Sequence, residues 1–308
     1  MERSVIIITG PTCSGKTALS LKVANILKSE IISADSRQIF KYLNIGTAKP
    51  SEEELKKNKH YFIDHLKPDE YYNASIFENE ALKICNNLFS QNRIPIIVGG
   101  SGLYIKALVD GIFDSEKTDF KYREFLLSER KTKGNEHLHN MLNSVDPVSA
   151  SKMLPQNWKR VMRCLEVYHS TGSFIWEEHN KQNRKENISF HQFALDVQRK
   201  KLYSDIETRV DLMINSGLIE EVKSILEMGY NRDINSLNTV GYKEIISFLF
   251  SEVTLERAVE LIKRNTRRYA KRQLTWFRGD NRIKWISKGD SANLDFIAEE
   301  IISDTTSI

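Results

Sequence analysis

ITGPTCSGKTALS, residues 8–20, follows the apolar run Val5 to Ile8 and spells G-x-x-x-x-G-K-T from Gly10 to Thr17. A β-branched run, a glycine-rich turn and a helix-forming stretch in that order predict a strand, a phosphate-cradling loop and a helix. Gly10 and Gly15 allow backbone amides to point inward, Lys16 reaches terminal phosphate oxygens, and the Thr17 hydroxyl can hold Mg²⁺. The bland alternative is a chance glycine turn.

Further short β-branched runs stand at Glu30–Ser33, Ile94–Val98, Gln192–Val197 and Ile283–Ile286, separated by segments of helical periodicity. This alternation predicts an α/β fold, a P-loop NTPase-like parallel sheet flanked by helices, with functional residues at the carboxyl ends of the strands. The first crossover helix is expected at Lys16–Leu27. Between Asp114 and Asn187 charged amphipathic helices follow one another (Tyr122–Lys131, Glu136–Asn143, Trp158–Ser170) without a convincing strand, which predicts a helical insertion domain. The expected organisation is therefore 1–113 as the first part of the core, 114–188 as the insertion, and 189–308 as the second part. That last part carries helices at Lys201–Ile214, Leu218–Met228, Tyr242–Phe250 and Leu255–Phe277.

The chain has 308 residues, 40% of them hydrophobic, which suffices for a full core and a second, smaller unit. The formal net charge of +4 is too small to identify a nucleic-acid binder, so the placement of basic residues must decide. Cys13, Cys85 and Cys164 are widely spaced and odd in number, which argues against a disulfide framework or a cysteine zinc site and fits a reducing cytoplasm. The N-terminal apolar stretch is too short for a signal segment or a membrane span, so no membrane association is expected.

A nucleoside triphosphatase needs a second carboxylate for its metal, normally at the end of another buried strand. The strand Ile94–Val98 ends in GGSGLY instead. Asp35, in IISADSRQ at the end of the second strand, is the carboxylate placed to face the loop; as a bland alternative it caps a helix. With a diphosphate ester in the loop, these parts acquire a purpose. The loop amides, Lys16 and Mg²⁺ would stabilise charge growing on a diphosphate leaving group, and Asp35 would take a proton from the attacking nucleophile.

LIKRNTRRYAKRQLTWFRG, Leu261 to Gly279, carries seven Lys and Arg, no acid, and Tyr269, Trp276 and Phe277. Cations can neutralise phosphates and aromatic faces can stack bases, but a solvated helix face with Tyr269 and Phe277 in a buried stripe stays open. Lys159, Arg160 and Arg163 form a second basic cluster on one helix face.

GPTCSGKT, SADSRQIFKYLNIGTAKP, PIIVGGSGLYIKAL, TVGYKEI and AKRQLTWFR stand in the order seen in bacterial tRNA dimethylallyltransferases, also called tRNA isopentenyltransferases, which the chain resembles over nearly its whole length. The resemblance implies transfer of a dimethylallyl group from dimethylallyl diphosphate to the N6 amine of the adenosine 3′ of the anticodon in tRNA, with release of diphosphate. It implies that Gly10, Pro11, Thr12, Cys13, Ser14, Gly15, Lys16 and Thr17 hold the diphosphate, with Mg²⁺ on Thr17. Asp35 would be the base, assisted by Lys16, Ser101 (where the family usually has Thr) and Arg209. An ion pair of Arg209 with Glu207 or Asp205 is the bland alternative. Contact with the tRNA anticodon stem-loop is implied for Asp35, Ser36, Arg37, Gln38, Ser101, Arg123, Lys159, Arg160, Val161, Met162 and Arg163. It is implied likewise for Asn238, Thr239, Val240, Gly241, Tyr242, Lys243, Lys271, Arg272, Gln273, Leu274, Thr275, Trp276, Phe277 and Arg278. A cytoplasmic monomer is expected. Cys13 departs from the common Ala, and Phe40 from a common Tyr.

An adenine amine inside a stacked loop cannot reach a buried allylic carbon, so the base must be turned out into the protein and the donor must enter elsewhere. This predicts a channel through the core, with the insertion clasping the anticodon stem. The rival is a P-loop kinase of a nucleoside or small metabolite, which predicts ATP turnover. A non-enzymatic RNA-binding module would leave Lys16, Thr17 and Asp35 without a task.

Overall fold

The computed structural model describes residues 3–112, 119–180, 187–287 and 293–306. Six strands, β1 (Ser4–Thr9), β2 (Ile31–Ser33), β3 (His60–Tyr61), β4 (Ile96–Val98), β5 (Ser189–Asp196) and β6 (Ile283–Ser287), form one sheet in the order β3-β2-β4-β1-β5-β6. Every pairing is parallel, with Ile6 opposite Ile96 on one side and His191 on the other. Val5, Ile6, Ile7 and Ile8 of β1 are fully buried, as a central strand covered on both faces requires.

The helices are α1 (Lys16–Leu27), α2 (Glu52–Lys57), α3 (Ala74–Ser90), α4 (Gly102–Asp110), α5 (Phe120–Val145), α6 (Pro147–Ser151), α7 (Trp158–Thr171), α8 (Ile175–Asn180), α9 (Arg199–Asn215), α10 (Leu218–Glu227), α11 (Tyr242–Leu249), α12 (Leu255–Arg278) and α13 (Leu294–Thr306). The chain divides into two compact units, residues 1–109 with 186–308, and residues 110–185. The expected boundary at residue 114 lies outside the described residues. In the first unit Ile6, Ile8, Phe193 and Leu195 of the sheet pack with Leu19 and Val23 of α1 and Ile297 and Ile301 of α13. In the second, Leu126, Leu138 and Leu142 of α5 pack with Val161, Met162 and Leu165 of α7.

The parallel sheet and the helix at Lys16–Leu27 match the expectation, and the differences have local causes. The fourth strand starts at Ile96 rather than Ile94, because Pro95 has no amide to give the ladder. The two helices expected at Tyr122–Lys131 and Glu136–Asn143 run together as α5, broken at Gly134 (φ 87°, ψ 178°). The two-residue β3 is too short to leave a periodic signature. Among the described residues no helix is long and apolar enough to cross a membrane.

Candidate active site

The phosphate loop closes the carboxyl end of β1. Gly10 (φ 131°) and Gly15 (φ 94°) take backbone angles that a side chain would resist, and Cys13 (φ 64°) joins them in the left-handed region. Lys16 folds over its own loop and donates to the Pro11 carbonyl at 2.5 Å. Burial, and then the nearby Arg209 guanidinium, push the Lys16 ammonium down to about 8, against the pull of Asp35.

Asp35 follows β2. Its Oδ1 accepts the amides of Arg37 (2.8 Å) and Gln38 (3.3 Å), which fixes the carboxylate plane and leaves Oδ2 without a protein partner among the described residues. No helix follows Asp35 directly, so it is not a helix cap; its Oδ1 ties a turn and its Oδ2 points away from those two amides. The Ser101 hydroxyl oxygen accepts the Ser36 amide at 2.9 Å and pins the same turn from the end of β4. Gln38 donates from Nε2 to the carbonyls of Thr47 (3.2 Å) and Ala48 (3.1 Å).

Arg209 reaches the loop rather than its helix neighbours. Its guanidinium lies 3.4 Å from both the Thr12 hydroxyl and the Cys13 sulfur, while Glu207 pairs with Arg267 (2.7 Å) and Asp205 with Lys201 (2.5 Å). Two cavities meet here. One of about 360 Å³ is lined by Lys16, Thr17 and Asp35, with Val98, Gly99 and Gly100 from the end of β4. The other, of about 320 Å³, is lined by Asp35, Ser36 and Arg37, by Asn238 to Gly241, and by Lys243 and Arg272. Thr12, Asp35, Thr47, Arg209 and Tyr269 line both.

The glycines at the end of β4 make room for these walls. A Cβ at Gly99 would lie 2.1 Å from the Ala34 carbonyl oxygen, and one at Gly102 would lie 2.3 Å from the Trp276 indole. On the far side of the Asp35 turn, Tyr242 donates to Glu221 at 2.6 Å, and Glu221 accepts the amides of Asn44 (3.0 Å) and Ile45 (2.9 Å). This holds the Asn44–Thr47 bend against the first unit's helices.

The family model described as IPP transferase matches residues 38–280. The chain is 46% identical to the tRNA dimethylallyltransferase of Acetivibrio thermocellus, covering 93% of this chain and 92% of that protein. It is 45% identical to the tRNA dimethylallyltransferase of Thermosipho africanus, covering 95% and 96%. This chain belongs to the IPP transferase family. Among solved structures, the full-length tRNA isopentenylpyrophosphate transferase of Bacillus halodurans superimposes with a TM-score of 0.72 at 35% identity, covering 99% of this chain and 97% of that one. A eukaryotic dimethylallyltransferase acting on tRNA superimposes with a TM-score of 0.82 at 28% identity, covering 97% of this chain and 77% of that one.

In this IPP transferase family member the residues singled out from sequence divide by position. Asp35, Lys16, Thr17 and Arg209 gather on one cavity; Ser101 lines neither cavity and supports the Asp35 turn instead. Arg37 donates to the Asn235 carbonyl at 2.7 Å, and burial lowers its pKa. Several residues expected at the RNA have their side chains inside. Val161 and Met162 belong to the second unit's core because they are on the face of α7 that packs against α5. Tyr242 is fully buried on Gly46, Gly241 is buried beside it, Phe277 is 1% exposed, and Gln273 is buried with both amide ends bonded. Leu274 packs with Leu202 and Ile206. Lys159, Arg160, Asn238, Lys243, Lys271, Arg272, Thr275, Trp276 and Arg278 are exposed.

Some of the basic residues already have carboxylate partners. In the second unit, Arg123 (3.0 Å) and Arg163 (4.0 Å) both approach the buried Glu166. On α12, Lys263 pairs with Asp211, Arg267 with Glu207, and Arg278 with Asp196. The sequence reading missed Thr47 and Glu221. Glu221 stands in no motif, and Thr47, although inside the quoted stretch SADSRQIFKYLNIGTAKP, takes no role there; the chain's return past Asp35 gives both their work.

Proposed function

We propose that this chain is a tRNA dimethylallyltransferase that moves the dimethylallyl group of dimethylallyl diphosphate to the N6 amine of the adenosine 3′ of the anticodon. The observation that carries the reading is the meeting of the two cavities at Asp35, Arg209 and Tyr269. The diphosphate belongs in the cavity of the loop, where inward amides, Lys16 and Arg209 face the charge that grows as the carbon–oxygen bond breaks. The extruded adenine belongs in the other, so its amine meets the allylic carbon beside the free Oδ2 of Asp35, which takes the proton.

Mg²⁺ fits the oxygen donors present. The Thr17 hydroxyl, the diphosphate's own oxygens and water would carry the ion, since Mg²⁺ takes oxygen ligands and keeps several waters. When bound, it would supply charge stabilisation to the departing diphosphate. Both cavities are built within residues 1–109 and 186–308 of one chain, so a monomer suffices, working in the cytoplasm with its tRNA.

The test incubates purified protein with unmodified tRNA and Mg²⁺ and either dimethylallyl diphosphate or ATP. Consumption of the prenyl donor with a mass gain on the target adenosine is expected. ATP turnover without prenylation would replace the reading with the kinase.

A further inference from the structure

Gln273 lies in the middle of the stretch that the resemblance assigns to RNA, yet its side chain turns the other way. It is 6% exposed. Its Oε1 accepts the amide of Thr12 at 2.9 Å, and its Nε2 donates to the carbonyl of Gly100 at 2.9 Å. One carboxamide therefore spans the phosphate loop and the end of β4, two walls of the diphosphate cavity, with both hydrogen-bonding ends in use. A Cβ at Gly100 would lie 2.2 Å from that Nε2, so the bridge needs the glycine. On the same helix Lys271, Arg272 and Thr275 are exposed. Helical spacing puts Lys271 and Thr275 about 160° round the helix from Gln273, and Arg272 about 100° round it, where it lines the second cavity; one rigid hydrogen-bonded helix joins them.

We infer that Gln273 is a positioning residue that couples RNA docking on the exposed face of α12 to diphosphate binding in the loop. The inference rests on the proposed RNA substrate. A phosphate backbone that restrains Lys271 and Arg272 restrains the helix, and through the carboxamide it holds Thr12 and Gly100 at the separation the diphosphate needs. The loop is then ordered before the donor arrives, and the donor binds more tightly. Reciprocity requires that diphosphate tighten RNA binding by the same factor.

The test measures affinity for inorganic diphosphate with Mg²⁺ by calorimetry, with and without a saturating unmodified anticodon stem-loop. The unaltered protein is expected to bind diphosphate at least about fivefold more tightly with RNA present. In Gln273→Met, which keeps the volume and removes both bonds, that ratio should fall to about one, with RNA affinity in the absence of diphosphate little changed. A merely structural role would weaken diphosphate binding equally in both conditions and leave the ratio alone. Should the Met variant not fold, Gly100→Ala attacks the same bridge from its other end and carries the same expectation. A ratio of one in the unaltered protein, or an undiminished ratio in the folded variant, would overturn the inference while leaving the transferase reading in place. Absence of RNA binding by the unaltered protein would overturn both.

Discussion

The Arg209 guanidinium stands 3.4 Å from the Thr12 hydroxyl, although 197 residues separate the two in sequence. A planar fork of donors at the rim of an anion-binding loop is suited to two oxygens of a diphosphate at once. Arg209→Lys keeps the charge but loses the fork. Steady-state kinetics should show kcat/KM for dimethylallyl diphosphate falling by roughly tenfold or more, on the scale of one charged hydrogen bond, with tRNA affinity unaffected. Full activity in the Lys variant would reduce Arg209 to general charge.

Asp35→Asn retains an oxygen for the Arg37 and Gln38 amides but cannot accept a proton. Single-turnover prenylation should slow by roughly 10²–10⁴-fold, with tRNA binding and the melting temperature close to those of the unaltered protein. Near-normal turnover would remove the carboxylate from the chemistry.

Lys16 titrates near 8 in the free site because burial and Arg209 disfavour its charge. A bound diphosphate favours the ammonium and raises that value. Below pH 8 the group is protonated both free and bound, so it contributes no pH dependence. Above pH 8 binding must take up a proton, and affinity should decline as pH rises, by up to about tenfold per unit. Calorimetry in buffers of different ionisation enthalpy counts the proton, and Lys16→Met should abolish this uptake. Equal uptake in the variant would assign the proton elsewhere.

The cations of α12 are not equivalent. Arg267 must leave Glu207 before it can meet a phosphate, whereas no ion pair occupies Lys271 among the described residues. If both regions face RNA, Lys271→Ala should flatten the log–log salt dependence of tRNA affinity by about 0.7–0.9, and Arg267→Ala by less. A filter-binding series between low and physiological salt separates them. Identical slopes for both variants would mean that the Glu207 pair costs the RNA nothing.

Much of this site could be read from sequence because its parts are local. The loop Gly10–Thr17 and the turn after Asp35 each complete their geometry within a few residues, so the residue types announce the backbone. Arg209 carried two readings until the structure showed that Glu207 and Asp205 had other partners. The block Lys271–Arg278 is divided in a way that a run of residues does not show. A helix shows its neighbours to opposite environments, and the resemblance named a run of residues where the fold divides that run between solvent and core. Glu221 and the Gln273 bridge depend on segments more than 150 residues apart meeting, which no local pattern records.

The order in which the sheet is assembled bears on how the protein is made. β1 is a central strand paired with β4 and β5, but β5 begins at Ser189, about 180 residues after β1 ends. On a ribosome adding roughly 5–20 residues per second, the edge of the run VIIIT waits on the order of ten seconds or more for its partner. During that interval it offers unpaired backbone and a β-branched surface to any neighbouring nascent chain. Chains arrested before Ser189 should therefore be recovered with chaperones or in the insoluble fraction, whereas release after β6 closes both edges of the central strands and ends the exposure.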